Sequence, residues 1–220
     1  MARSPAPITI ETPCVIFDCD GVLVDSERLS WASWIKLLDY YGYTPTPGDE
    51  ALSFGRRVAD IHAHFAKLVQ LPPAAQFEQE LEDLVLTSFD EHLKPFEDAI
   101  VLVERLRSLA VPLAVASSSS AARLKHSLAQ VGLTDHFQAL VSGDEVVRGK
   151  PYPDIYQQAA AALGVSSSDC TAIEDAPAGV AAARAAGMTV IGIVRGHVQR
   201  DRLSEADLVV DDLAAINESA

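Results

Sequence analysis

Asp18 and Asp20 stand two residues apart, directly after the apolar run Cys14-Val15-Ile16-Phe17 and directly before Gly21. Like charges a few ångströms apart repel, so such a pair persists where a cation or a proton transfer uses it. An aspartate in that position can act as a nucleophile, a metal ligand or a general acid. The bland alternative is a loop with two solvated aspartates, or a helix N-cap at Asp25 or Ser26.

The elements that must position these groups follow from hydrophobic periodicity. Residues 14–17 read as a buried strand. From about 26 to 91 the pattern is helical and shows no strand. Trp31, Trp34, Ile35, Leu38 and Tyr41 mark a first amphipathic helix, ended by Gly42 and the cluster Thr44 to Gly48. Val58, Ile61, Phe65, Leu68 and Val69 mark a second, stopped by Pro72-Pro73. Phe77, Leu81, Leu84, Val85 and Phe89 mark a third. From Pro95 helices and strands alternate: helices near 97–109, 121–130, 153–163 and 177–186, and strands near 112–116, 139–141, 171–173, 189–194 and 208–210. Non-alternating apolar strands between helices indicate a parallel sheet with helices on both faces. The expected fold is therefore α/β: a Rossmann-like core over 1–24 and 92–220, with an inserted all-helical cap over 25–91.

Ligands of an open parallel sheet bind beyond the carboxyl ends of its strands. There the chain places Asp18 and Asp20, then Ser117-Ser118-Ser119-Ser120, then Gly143-Asp144-Glu145 and Lys150, then Glu174-Asp175. Four acids, a serine run and a lysine converge on one edge. Each has a plainer reading. The serines can cap the next helix, Lys150 can be a surface lysine before a proline turn, and Glu174-Asp175 can open the helix at Pro177, where acids are favoured.

The 220 residues are 49% apolar and 22% charged, enough for a sizeable core. A formal charge of -14 argues against a nucleic-acid partner. It does not exclude an anionic substrate, because a bound divalent cation reverses the local sign. Cys14, Cys19 and Cys170 lack metal-like spacing and read as reduced thiols of a cytoplasmic protein. No signal peptide or membrane span is expected. His62 and His64 face differently on one helix and do not read as a metal pair. Trp31 and Trp34 read chiefly as helix packing, with lining of a substrate pocket as the lesser alternative for both.

Four motifs in order resemble the haloacid dehalogenase superfamily, in its β-phosphoglucomutase-like and phosphatase branch, over nearly the whole chain. They are Asp18-x-Asp20-Gly21-Val22, Ser117 after an apolar strand, Lys150-Pro151-x-Pro153-Asp154, and Glu174-Asp175 after another strand. The resemblance implies a phosphatase acting on a small phosphorylated metabolite. Asp18 would attack phosphorus to form an aspartyl-phosphate, and the Asp20 side chain would serve as acid and then base. Mg²⁺ would be held by Asp18, the main-chain carbonyl of Asp20, Asp175 and, directly or through water, Glu174. Ser117, Ser118 and backbone amides including that of Gly21 would bind the phosphoryl oxygens. Lys150 would offset charge on the nucleophile and transition state. Arg56 and Arg57 would reach a second anionic group from the cap.

The true mutase has a histidine where this chain has Ser30, and a cap-loop lysine where it reads Leu52-Ser53-Phe54-Gly55. Both departures favour hydrolysis over phosphosugar transfer. Dehalogenase and phosphonate-cleaving chemistry fit less well, since neither uses this acid set. A non-catalytic phosphate-binding protein is a further alternative, disfavoured because the acid set is complete.

Overall fold

The run before Asp18 forms a strand buried at all four residues, β2, in a computed structural model that describes residues 8–10, 12–50, 58–196 and 198–218. In chain order the strands are β1 (Ile8–Ile10), β2 (Cys14–Phe17), β3 (Leu113–Ala116), β4 (Ala139–Val141), β5 (Cys170–Glu174), β6 (Thr189–Ile193), β7 (Leu208–Val210) and β8 (Ile216–Glu218). The helices are α1 (Glu27–Tyr40), α2 (Pro47–Glu50), α3 (Val58–Phe65), α4 (Ala74–His92), α5 (Glu97–Ser108), α6 (Ala121–Gln130), α7 (Asp154–Ala162) and α8 (Pro177–Ala185). Six strands make one parallel sheet in the order β4-β3-β2-β5-β6-β7. The order reverses between β2 and β5. That switch point is where a doubly wound sheet opens a crevice for ligand.

Strand alternation explains why the runs are apolar throughout. Val15, Phe17, Leu113, Val115 and Ile173 face a cluster with α5 and α6 residues such as Leu102, Leu106, Leu124 and Leu128. Cys14, Ile16, Ala114, Ala116 and Ala172 face the other way, against Tyr156, Ala159, Ala160, Ala182 and Ala183 of α7 and α8. Small residues on both sides of that second layer bring the helices close to the sheet.

The helices from 27 to 92 pack on a cluster of their own, which includes Trp31, Trp34, Ile61, Phe65, Phe77 and Phe89. The Trp34 ring lies 5.2 Å from that of Phe77 and 5.9 Å from that of Phe65. Where α4 meets α6 the contacts include polar ones: Ser120 Oγ donates to Glu82 (2.6 Å) and Gln130 Nε2 to the Asp90 carbonyl (3.0 Å).

Several elements differ from the sequence reading. Ile35 is exposed, and Leu37 is buried instead, because Ser30 and Ser33 turn inward with Trp34. Helix α3 stops at Phe65: Lys67 and Leu68 bond back only three residues, to His64 and Phe65, and Val69 closes the turn with its own bond to the Phe65 carbonyl. Strand β5 runs to Glu174, which pairs with Gly192, so that acid ends the strand rather than following it. The parallel pair β1 and β8 was not expected. Arg56, Arg57 and the Ser53 loop lie outside the described residues.

Candidate active site

The backbone of β2 delivers Asp18 to the switch point: the Asp18 amide donates to the Ile173 carbonyl (2.9 Å), continuing the β2–β5 ladder by one bond. The chain then turns sharply. The amides of Leu23 and Val24 both donate to the Cys19 carbonyl, at 2.9 and 3.1 Å. Gly21 has φ +85°, a conformation that side-chain-bearing residues rarely adopt. Its amide donates to the Val24 carbonyl (2.9 Å), so it closes this turn. The amide expected to meet a phosphoryl oxygen is here engaged by Val24. Behind the turn, Arg195 donates to the carbonyls of Gly21 (3.2 Å) and Val22 (3.3 Å) and grips Asp98 with both Nη groups at 3.0 Å.

Lys150 is the hub of the buried charges. Its Nζ donates to Asp18 Oδ1 and Glu174 Oε1, both at 2.5 Å, and to the Ala116 carbonyl at 3.0 Å. Burial alone would lower its pKa; the carboxylates of Asp18 and Glu174 outweigh burial and hold it above the ordinary value. Burial, reinforced by Glu174, Asp175 and Asp20, pushes Asp18 well above the usual carboxylate range against the pull of Lys150. Glu174 is held on all sides. Its Oε1 also accepts from Tyr156 Oη (2.6 Å), and its Oε2 accepts from the amides of Asp175 (3.1 Å) and Ala176 (3.2 Å). A Cβ at Gly179 would stand 1.8 Å from Glu174 Oε1, so only glycine on α8 leaves this carboxylate its place.

Asp18, Glu174 and Asp175 are all buried and bring one carboxylate oxygen each within 4.8 Å of one another. Among the described residues, Lys150 is the cation that bonds Asp18 and Glu174. An all-oxygen, strongly negative donor set suits a hard divalent cation, so these residues fit one. The Asp20 side chain is not among the three.

Lys150→Met removes the ammonium and leaves those carboxylates facing one another. Breaking a buried pair in this way costs about 3–5 kcal/mol. Urea denaturation of metal-free protein at pH 7 should show a loss of that size; a loss under about 1 kcal/mol would mean that Lys150 is not what holds the cluster.

Asp20 sits in a different cage. Its Oδ1 accepts from Ser26 Oγ (2.6 Å) and Arg123 Nη2 (3.2 Å), and its Oδ2 from Ser119 Oγ (2.8 Å) and Ser117 Oγ (3.2 Å). Burial would raise its pKa; Arg123 and the three hydroxyls outweigh burial and hold the carboxyl below its usual range. The serine run divides its work. Ser117 and Ser119 face Asp20, Ser118 lines the cleft, and Ser120 caps α6 by accepting from the Arg123 amide (3.1 Å). The cleft over Asp18 and Asp20 is walled by Glu27, Ser30 and Trp34 of α1 and by Val58 and Ile61 of α3. Trp34 thus both packs the helical cluster and lines the cleft. Burial, with Asp175 and Asp20 nearby, pushes Glu27 well above the usual carboxylate range.

His62 and His64 do not meet. His62 Nε2 lies 3.0 Å from the Pro72 carbonyl, and His64 is exposed beside Phe65. The sequence reading missed Arg123, Tyr156 and Glu27. A signal for Arg123 was available: a cation in the first turn of a helix opposes the helix dipole, which suggests a specific anionic partner.

The family model of haloacid dehalogenase-like hydrolases matches residues 15–193, which contain every motif above. This chain belongs to the haloacid dehalogenase-like hydrolases. It is a phosphoric monoester hydrolase of that family. Hexitol phosphatase A of Escherichia coli is 36% identical, with 91% of each chain covered. The validoxylamine A 7'-phosphate phosphatase of Streptomyces hygroscopicus subsp. limoneus is 31% identical, over 91% of this chain and 94% of that one. The haloacid dehalogenase fold is also that of CbbY from Rhodobacter sphaeroides, solved in complex with phosphate: TM-score 0.86 at 21% identity, over 94% of this chain and 97% of that one. Among the described residues, no helix is long and apolar enough to cross a membrane.

Proposed function

We propose that this chain is a cytoplasmic Mg²⁺-dependent phosphatase that hydrolyses a small sugar or polyol phosphate through an aspartyl-phosphate on Asp18. The observation that carries the reading is Asp18 itself, at the end of β2, beside Lys150 and within carboxylate reach of Glu174 and Asp175. The hexitol phosphatase among its relatives supports a polyol or sugar leaving group.

An Asp18 oxygen attacks phosphorus and the bond to the ester oxygen breaks. Asp20, ionised in its resting cage, must first take up a proton from solvent, which it then gives to that leaving oxygen. It then takes a proton from water, whose oxygen attacks phosphorus and breaks the bond to Asp18, releasing phosphate. Lys150 offsets negative charge at Asp18, and Ser117 and Ser118 would donate to phosphoryl oxygens, Ser117 by turning its hydroxyl away from Asp20. Glu174, with its oxygens already met by four donors, fixes Lys150. Asp18, Asp175 and the Asp20 carbonyl would hold the metal, which supplies charge screening between carboxylate and phosphate dianion. The helices over 25–91 would serve as a cap that shields the reaction from bulk water.

A mutase must bind and deprotonate a sugar hydroxyl and keep water out between two transfers. Ser30 is less basic than the histidine it replaces, and its hydroxyl already donates to the Ser26 carbonyl (2.8 Å). Water should therefore win at the phosphoryl-aspartate. A screen of phosphorylated metabolites with phosphate detection should find a small monoester that releases phosphate. Phosphorus NMR with β-glucose 1-phosphate and a trace of the bisphosphate should show no build-up of glucose 6-phosphate. Isomerisation faster than phosphate release would overturn the hydrolytic reading.

A further inference from the structure

Arg123 carries a contact set that the four motifs do not account for. It stands in the first turn of α6, on the core, yet its side chain meets three separate elements. Nη2 donates to Asp20 Oδ1 (3.2 Å) in the turn after β2 and to Ser30 Oγ (2.5 Å) on α1. The guanidinium lies 5.0 Å from the ring centre of Phe89 near the end of α4. The side chain is 12% exposed, lines the cleft, and keeps its Nε buried with no hydrogen bond among the described residues.

A single nitrogen thus bridges a core carboxylate and a hydroxyl of the inserted helices. We propose that Arg123 is a positioning residue that links the placement of α1 and α4 to the direction in which the Asp20 carboxylate points. This rests on the reading of Asp20 as the group that protonates the leaving oxygen. The rigid fork of a guanidinium suits the task, because it fixes direction as well as charge. The aromatic face of Phe89 holds the plane of that fork. Ser26, Ser117 and Ser119 also bond Asp20, but a hydroxyl turns about a single bond, and among the described residues none of these three hydrogen-bonds to α4. When α1 shifts, Ser30 moves and takes Nη2 with it.

The test compares two esters on the full-length enzyme with Mg²⁺. In p-nitrophenyl phosphate the leaving group departs as a stable anion and needs no proton. In sorbitol 6-phosphate, or fructose 1-phosphate should the wild type prefer it, the leaving alkoxide needs one. The constant kcat/KM reports steps up to formation of the phosphoryl-enzyme. R123M should lower it about thirtyfold for the alkyl ester and less than about threefold for the aryl ester, within the range that general acid catalysis supplies. D20A sets the reference and should show the same bias more strongly. R123K should recover part of the loss, and S30A, which removes the link to α1 together with the Ser30 bond to the Ser26 carbonyl, should shift the ratio the same way by about threefold. Thermal melts accompany each variant; if R123M does not fold, the ratios of R123K and S30A carry the test. An equal rise in KM for both esters would show Arg123 to bind substrate directly and overturn the proposal, as would an unchanged ratio in all three variants. Loss of Asp18 dependence would instead overturn the functional reading.

Discussion

Asp18→Asn should abolish turnover while leaving the fold standing. The substitution keeps the shape of the side chain and the oxygen that accepts from Lys150. It removes one negative charge from the cluster of Asp18, Glu174 and Asp175, so the repulsion within it falls. Stability should hold within about 1 kcal/mol or rise. An amide oxygen cannot form the phosphoryl-enzyme, so the rate should drop by more than about a hundredfold, at least roughly 2.7 kcal/mol of barrier. Beryllium fluoride with Mg²⁺ should bind the wild type as a mimic of the phosphoryl-aspartate and fail to bind the variant. Retention of more than about a hundredth of the wild-type rate would sink the covalent mechanism.

Removal of divalent metal should be as severe. Excess EDTA should abolish phosphate release and Mg²⁺ should restore it. Calcium should substitute poorly, because its larger and looser coordination misplaces the nucleophile. A second readout does not depend on turnover. Mg²⁺ at about a hundred times its Kd should raise the unfolding free energy by about 2.7 kcal/mol, seen as a higher Tm. Asp175→Asn should lose most of that shift, since it takes one of the three buried carboxylates out of the set. Full activity in a rigorously metal-free sample would redirect the reading towards dehalogenase chemistry.

Much of the sheet edge was legible in the sequence because parallel strands are buried on both faces. Cys14 to Phe17, Leu113 to Ala116 and Ala139 to Val141 each read as apolar runs, and the groups of interest come straight after them. Proximity of Asp18, Lys150 and Glu174 then followed from topology rather than from sequence distance. Where a role depended on which way one polar atom points, the sequence was silent. The Gly21 amide is spent on its own turn, and nothing in Asp-x-Asp-Gly shows that. Arg123 lies 103 positions from Asp20, and its place in the first turn of α6 hints at an anionic partner without saying which. Tyr156 reads as a core aromatic, and its hydroxyl partner appears only when α7 is laid against β5. The three-residue strands β1 and β8 are too short for periodicity to mark.

The separate hydrophobic cluster of the inserted helices has a consequence for descent. In the proposed reading the groups that lower the barrier sit on the sheet edge, whereas Glu27, Trp34, Val58 and Ile61 form the wall that would meet the rest of the ester. After a gene duplication, a substitution in that wall strains the helical cluster and leaves the carboxylates and Lys150 where they are. New specificities therefore lie few mutational steps apart, and weak activity on neighbouring esters is the raw material from which selection draws them.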